Sequence, residues 1–151
     1  MIHHIVLDSA PLGLLSSPSG SAEVLAIAQW SRFCLVAGHR IYIPEVIDYE
    51  VRRELLHAGK TNGIDRLDNL KTSFHYLPIT TSAMVNAAGL WAHSRRSGIP
   101  TCDPKKLDID VILAAQALTL GVPAGEIIVA TSNVSHLSRF VLADLWTNIK
   151  P

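Results

Sequence analysis

The chain has 151 residues, 48% of them hydrophobic, enough for one domain spanning residues 1–151 to bury a sizeable core and too many for a disordered chain. Thirteen Lys+Arg against thirteen Asp+Glu give a formal net charge of zero, so no bulk basic field exists to hold nucleic acid nonspecifically. Any charge-based function must be local.

The run Ile2 to Leu7 is β-branched and apolar and stops at Asp8, which predicts a buried first strand with an acid at its C-terminal end. No element is assigned between Asp8 and Ala22, and the stretch Ser16 to Ser21 is a loop by composition. Ala22 to Val36 has helical spacing, with Gly38 as its stop. Arg40 to Ile43 predicts a second strand, and Pro44 then stands where the first helical residue belongs. Ile47, Val51 and Leu55 form an i, i+4, i+8 stripe to about His57, ended by Gly59. A short helix over Gly63 to Thr72 and a third strand over Phe74 to Ile79 follow. Thr80 or Thr81 caps a helix reaching Arg96, and a loop holds Cys102, Asp103 and Pro104. Leu107 or Asp108 opens an apolar helix through Leu120, closed by Gly121. Ile127 to Ala130 is a fourth strand ending at Thr131-Ser132-Asn133, and the tail Leu142 to Ile149 offers an edge strand. Strands alternating with helices predict an α/β fold with a parallel sheet covered on both faces, whose ligand site lies outside the carboxyl ends of the strands.

Three acids sit in apolar surroundings: Asp8 after Ile5-Val6-Leu7, Glu50 beside the Ile47/Val51/Leu55 stripe, and Asp110 before Val111 to Ala115. Buried carboxylates must neutralise or find a cation, and a hard ion such as Mg²⁺ or Mn²⁺ takes oxygen ligands while keeping waters. Asn133 adds a neutral oxygen donor at the end of the fourth strand.

The segments Ile5-Val6-Leu7-Asp8-Ser9, Tyr49-Glu50-Val51-Arg52-Arg53-Glu54-Leu55, Asp110-Val111-Ile112-Leu113-Ala114-Ala115-Gln116-Ala117 and Val129-Ala130-Thr131-Ser132-Asn133 follow one another in an order that resembles the PIN-domain nucleases, particularly VapC-like proteins. The resemblance runs through nearly the whole chain. It implies a three-layer α/β/α fold with a central, mostly parallel sheet, and a Mg²⁺- or Mn²⁺-dependent endoribonuclease. It also implies that Asp8, Glu50 and Asp110 hold the metal, with Asn133 as the fourth member of the catalytic set. As in VapC-like systems, it implies an antitoxin that inhibits the chain, and a homodimer. The fourth position is often Asp in that family. Asn133 brings no charge, which leaves a second metal less well supported and keeps open a different class of function, a PIN-like module that binds RNA or protein without turnover.

Other roles stand beside these. Ser9 either orients Asp8 or serves the turn, and Thr131 belongs to the surroundings of the site. Glu50 and Glu54 share a helix face and are rivals for one ligand position, which the resemblance gives to Glu50. Asp108 and Asp110 point about 200° apart on a helix, so Asp110 is read as the ligand and Asp108 as a cap or a supporting group. The pairs Arg52-Arg53, Arg95-Arg96 and Lys105-Lys106 are solvated helix faces or phosphate contacts around the site. The seven histidines show no zinc spacing, and Gly59-Lys60-Thr61 lacks the context of a nucleotide-binding loop. Two cysteines without a Cys-x-x-Cys pattern, no leader-like start and no apolar run near the ~20 residues of a membrane span predict a cytoplasmic protein.

Overall fold

A computed structural model describes residues 1–98 and 104–151. Its strands are β1 (His4–Leu7), β2 (Arg40–Pro44), β3 (His75–Leu77), β4 (Ile127–Ala130) and β5 (Ala143–Asp144). Around them lie α1 (Ser9–Ser16), α2 (Ala22–Val36), α3 (Glu45–His57), α4 (Thr61–Leu70), α5 (Thr81–Arg96), α6 (Pro104–Leu118) and α7 (Val134–Leu137). The strands form one sheet in the order β3-β2-β1-β4-β5, and every pairing is parallel. This is a three-layer α/β/α arrangement around an all-parallel central sheet, as expected. Among the described residues no helix is long and apolar enough to cross a membrane.

The strands are short continuous apolar runs because both faces of the sheet are covered. Ile5, Val6, Leu7, Ile41, Ile43, Ile127, Val129 and Ala130 are fully buried. The chain leaves β1 toward β2 and β3 on one side and reaches β4 and β5 on the other. The switch point therefore falls between the carboxyl ends of β1 and β4, where open α/β sheets form their sites.

Several elements differ from the sequence reading. Helix α1 begins directly after β1, where no element is expected; Pro11 sits in its first turn, where a missing N–H costs no helical bond. Pro44 closes β2, pairing with Leu77, and caps α3 instead of entering it. Helix α4 starts at Thr61 rather than Gly63. Gly63 lies inside it, and the Leu55 side chain of α3 packs directly on it, so that a Cβ there would stand 2.8 Å from Leu55 Cδ2. Helix α6 starts at Pro104, which moves Asp108 out of the first turn and removes its reading as a cap. The tail contributes a two-residue strand, β5, followed by a short 3₁₀ turn over 146–148. The loop expected around Cys102 lies outside the described residues, whereas Cys34 is a free, buried thiol.

Gln116, almost fully buried on α6, fixes that helix against the carboxyl edge of the sheet: its Oε1 accepts from the Val46 amide at 3.3 Å, and its Nε2 donates to the Leu77 carbonyl at 2.7 Å. Opposite it, α3 and α4 are joined by charge. The Arg52 guanidinium donates to both oxygens of buried Asp48, at 2.8 and 3.1 Å, and to Asp68, while Lys71 Nζ lies 3.1 Å from Asp48 Oδ2. Burial works against the Asp48 anion, but the hydrogen bonds from Arg52 and Lys71 prevail and hold its carboxyl below the usual range.

Candidate active site

Asp8 directly follows β1 and is the N-cap of α1, so one residue links strand to helix with its carboxylate at the sheet edge. Its Oδ1 accepts from the Ser9 amide at 2.7 Å, and its Oδ2 accepts from the Thr131 hydroxyl at 2.6 Å. Thr131 Oγ1 in turn accepts from the Asn133 amide at 2.8 Å. The strand ends of β1 and β4 are thus tied through side chains, and Asn133 is carried beside Asp8 as the N-cap residue of α7.

A pocket of about 90 Å³ at this edge is lined by Asp8, Ser9, Glu50, Asp110, Asn133 and Lys106, with Ile109 and Ser132 completing it. Its volume leaves room for a few waters. Three helices contribute: α1 follows Asp8, α3 brings Glu50 and α6 brings Asp110. Burial first, and then the negative charges of Asp8 and Glu50, together push the Asp110 carboxyl up to about 6 against the opposing charges of Lys106 and Arg139. His136 Nδ1 lies 4.0 Å from Asp110 Oδ2.

Among the described residues no group of three His, Cys, Asp or Glu side chains is arranged to hold a metal ion as it stands. The donor set nonetheless suits a hard divalent cation in kind: oxygen donors on one pocket wall, a buried carboxylate destabilised by its anionic neighbours, and space for waters. Cation binding at Asp8 and Asp110 would relieve that repulsion.

The remaining candidates separate clearly. Glu54 is exposed, 3.8 Å from Arg53, and lines a larger groove rather than the small pocket. Asp108 is exposed and faces α5, beside Met84 and Trp91, away from Asp110. Arg52 is committed to Asp48 and Asp68, which removes it as a phosphate contact. Arg95 lies over the Trp91 ring. Sequence reasoning passed over Ser132, His136 and Arg139. Their position directly after the fourth strand, in the segment that also carries Asn133, was the available signal that they stand near the site.

No protein-family model matches the sequence, and no curated protein matches it. Solved structures do match its fold. VapBC2 from Rickettsia felis, bound to a DNA fragment from their promoter, superposes with a TM-score of 0.69 at 12% identity over 95% of this chain and 98% of that one. VapBC-1 from nontypeable Haemophilus influenzae gives 0.64 at 16% identity over 98% and 100%. DNA-bound VapBC from Salmonella typhimurium gives 0.59 at 14% identity over 97% and 99%. At such identities the likeness is one of fold, and it extends over the full length of the compared chains.

Proposed function

We propose that the chain is a Mg²⁺- or Mn²⁺-dependent endoribonuclease acting as the toxin of a toxin-antitoxin pair. The observation that carries this reading is the meeting of Asp8, Glu50, Asp110 and Asn133, from four separated segments, in one pocket at the switch point of the sheet. That the fold neighbours are VapBC proteins supports an antitoxin partner for this chain. A homodimer and a cytoplasmic location accompany the proposal.

Asp8, Glu50 and Asp110 would hold the ion. When bound, the ion lowers the pKa of a coordinated water and offsets charge on the phosphate and leaving oxygen. The chain's own residues do the rest. The Ser9 amide and Thr131 hydroxyl fix both oxygens of Asp8, so that carboxylate meets its ligand without reorientation. Asn133 offers hydrogen bonds to water or a phosphate oxygen without adding negative charge. Lys106 places a cation on the same wall, where a non-bridging phosphate oxygen requires one.

Incubation of the purified chain with single-stranded RNA and Mn²⁺ or Mg²⁺ tests the reading: metal-dependent cleavage that disappears in Asp8→Asn and Asp110→Asn, with fold retained, supports it. The neutral Asn133, together with side chains not pre-arranged around an ion, favours one second reading, a PIN-like module that binds RNA or protein with little or no turnover. RNA binding without metal-dependent cleavage by the wild type would select that second reading.

A further inference from the structure

A much larger groove, of about 740 Å³, opens beside the small pocket and shares Ser9, Glu50, Lys106 and Ile109 with it. Its walls are α1, α3 and the first turns of α6, and its cations are Arg53, Lys60, Lys105 and Lys106 against the acids Glu50 and Glu54. We propose that this groove seats the RNA segment next to the cleaved phosphodiester, with Lys60, Lys105 and Lys106 as phosphate-positioning residues. The proposal rests on the ribonuclease reading for its scissile bond, but the groove's affinity for RNA is separable from cleavage.

Local structure explains how the cations come to line one channel. Helix α3 ends with the Gly59 amide bonded to the Leu56 carbonyl and the Lys60 amide bonded to the Leu55 carbonyl, a termination that requires the positive φ of Gly59, 67°. The turn delivers Lys60, exposed, to the N-cap of α4, where no side chain caps the helix. Lys105 and Lys106 enter from the start of α6, also exposed. Arg53 lies over the Tyr49 ring at 5.2 Å, so its guanidinium is held along α3 rather than buried in an ion-pair network like that of Arg52. Val51, Leu55 and Ile109 supply apolar surface between these charges, which a base can cover and a hydrated carboxylate side chain cannot use. An array of cations spaced along a channel with an apolar floor, leading from a carboxylate pocket, suits a polyanion with flat apolar groups, and single-stranded RNA has that chemistry.

Gly13, midway along α1, lines the groove, and a Cβ built on it meets nothing within 4 Å. The backbone therefore accommodates a Cβ at Gly13, and a larger uncharged side chain there takes up groove space. Two perturbations of different physical kind therefore address one site: Lys60→Gln removes charge, and Gly13→Leu removes space.

The experiment measures fluorescence anisotropy of a labelled single-stranded RNA oligonucleotide in EDTA across a salt series, with steady-state cleavage measured in parallel. Lys60→Gln is expected to weaken binding by roughly fivefold across different sequences, and to make the log affinity against log salt shallower by about 0.7. Gly13→Leu is expected to weaken binding with the salt slope unchanged, and Lys150→Gln, at the opposite edge of the sheet, to leave both unchanged. In cleavage, KM should rise for Lys60→Gln and Gly13→Leu while kcat holds. Unaltered binding and slope in both groove variants, no RNA binding by the wild type, or a polyglutamate peptide competing as well as RNA would each overturn the proposal. A wild type that binds RNA through Lys60 but does not cleave it upholds the groove and overturns the ribonuclease reading instead.

Discussion

Thr131 donates its hydroxyl to Asp8 Oδ2 at 2.6 Å, so the residue that follows β4 holds the carboxylate that follows β1. Thr131 is almost fully buried, and no solvent competes for this bond. Replacing it by Val keeps the shape and removes the donor. Thr131→Val is expected to lower divalent-metal affinity or kcat by about 10–100-fold, as loss of a partner behind a ligand generally does. Thr131→Ser should recover most of it. Metal titration and cleavage rates of the two variants check this.

Asp110 is the electrostatic weak point of the metal-free protein. Its folded carboxyl is raised from 3.8 to about 6, so the native state binds more protons than the unfolded state across that window. Stability of the metal-free chain should therefore fall as pH rises through it, and the ionised form above pH 6 costs up to about 3 kcal/mol. Asp110→Asn removes the cost: in EDTA at pH 7.5 it should be more stable than the wild type by about 1–3 kcal/mol, and the two should converge near pH 4. Urea unfolding across pH measures the difference.

Divalent cation should reverse this weakness. At about 100 times its dissociation constant a ligand that binds the folded state alone adds about 2.7 kcal/mol. Mn²⁺ is expected to raise the melting temperature of the wild type and to raise that of Asp110→Asn much less, which differential scanning fluorimetry reads directly.

Gln116 carries two buried backbone partners, the Val46 amide and the Leu77 carbonyl. Gln116→Leu strands both and should destabilise the fold by about 2–6 kcal/mol, from one to three kcal/mol for each unsatisfied buried group. Because the same contacts set α6 against α3, the variant should also lose activity beyond its unfolded fraction. Equilibrium unfolding and specific activity at low temperature separate the two effects.

The strand residues and the acids that follow them were legible because strand runs here are apolar on both faces, so a polar residue at their ends stands out. Asp8 after β1 and Asn133 after β4 are of this kind. Asp110 was legible as an acid opening an apolar run, although α6 starts about one turn earlier than its apolar pattern, which places Asp108 inside the helix and not at its cap. Helix α1 was not legible: its eight residues include Pro11 and Gly13, and its cap is the same Asp8 that follows the strand. Nor could periodicity tell Arg52 from Arg53. One turns to Asp48 and Asp68, the other to the groove, and the difference depends on where α4 packs. Asp48 shows the limit of selecting acids by apolar surroundings: it is as buried as Asp8, and its partners are Arg52 and Lys71.

Single-turnover cleavage of single-stranded RNA by the wild type, Asp8→Asn, Glu50→Gln and Asp110→Asn decides whether the pocket joining Asp8, Glu50 and Asp110 cleaves RNA with a divalent ion. Mn²⁺- or Mg²⁺-dependent cleavage is expected from the wild type, with a loss of at least about 100-fold in each folded variant, on the scale of removing an electrostatic stabiliser of the transition state. Cleavage that persists in EDTA, or that survives in folded Asp110→Asn, would contradict the metal-dependent reading.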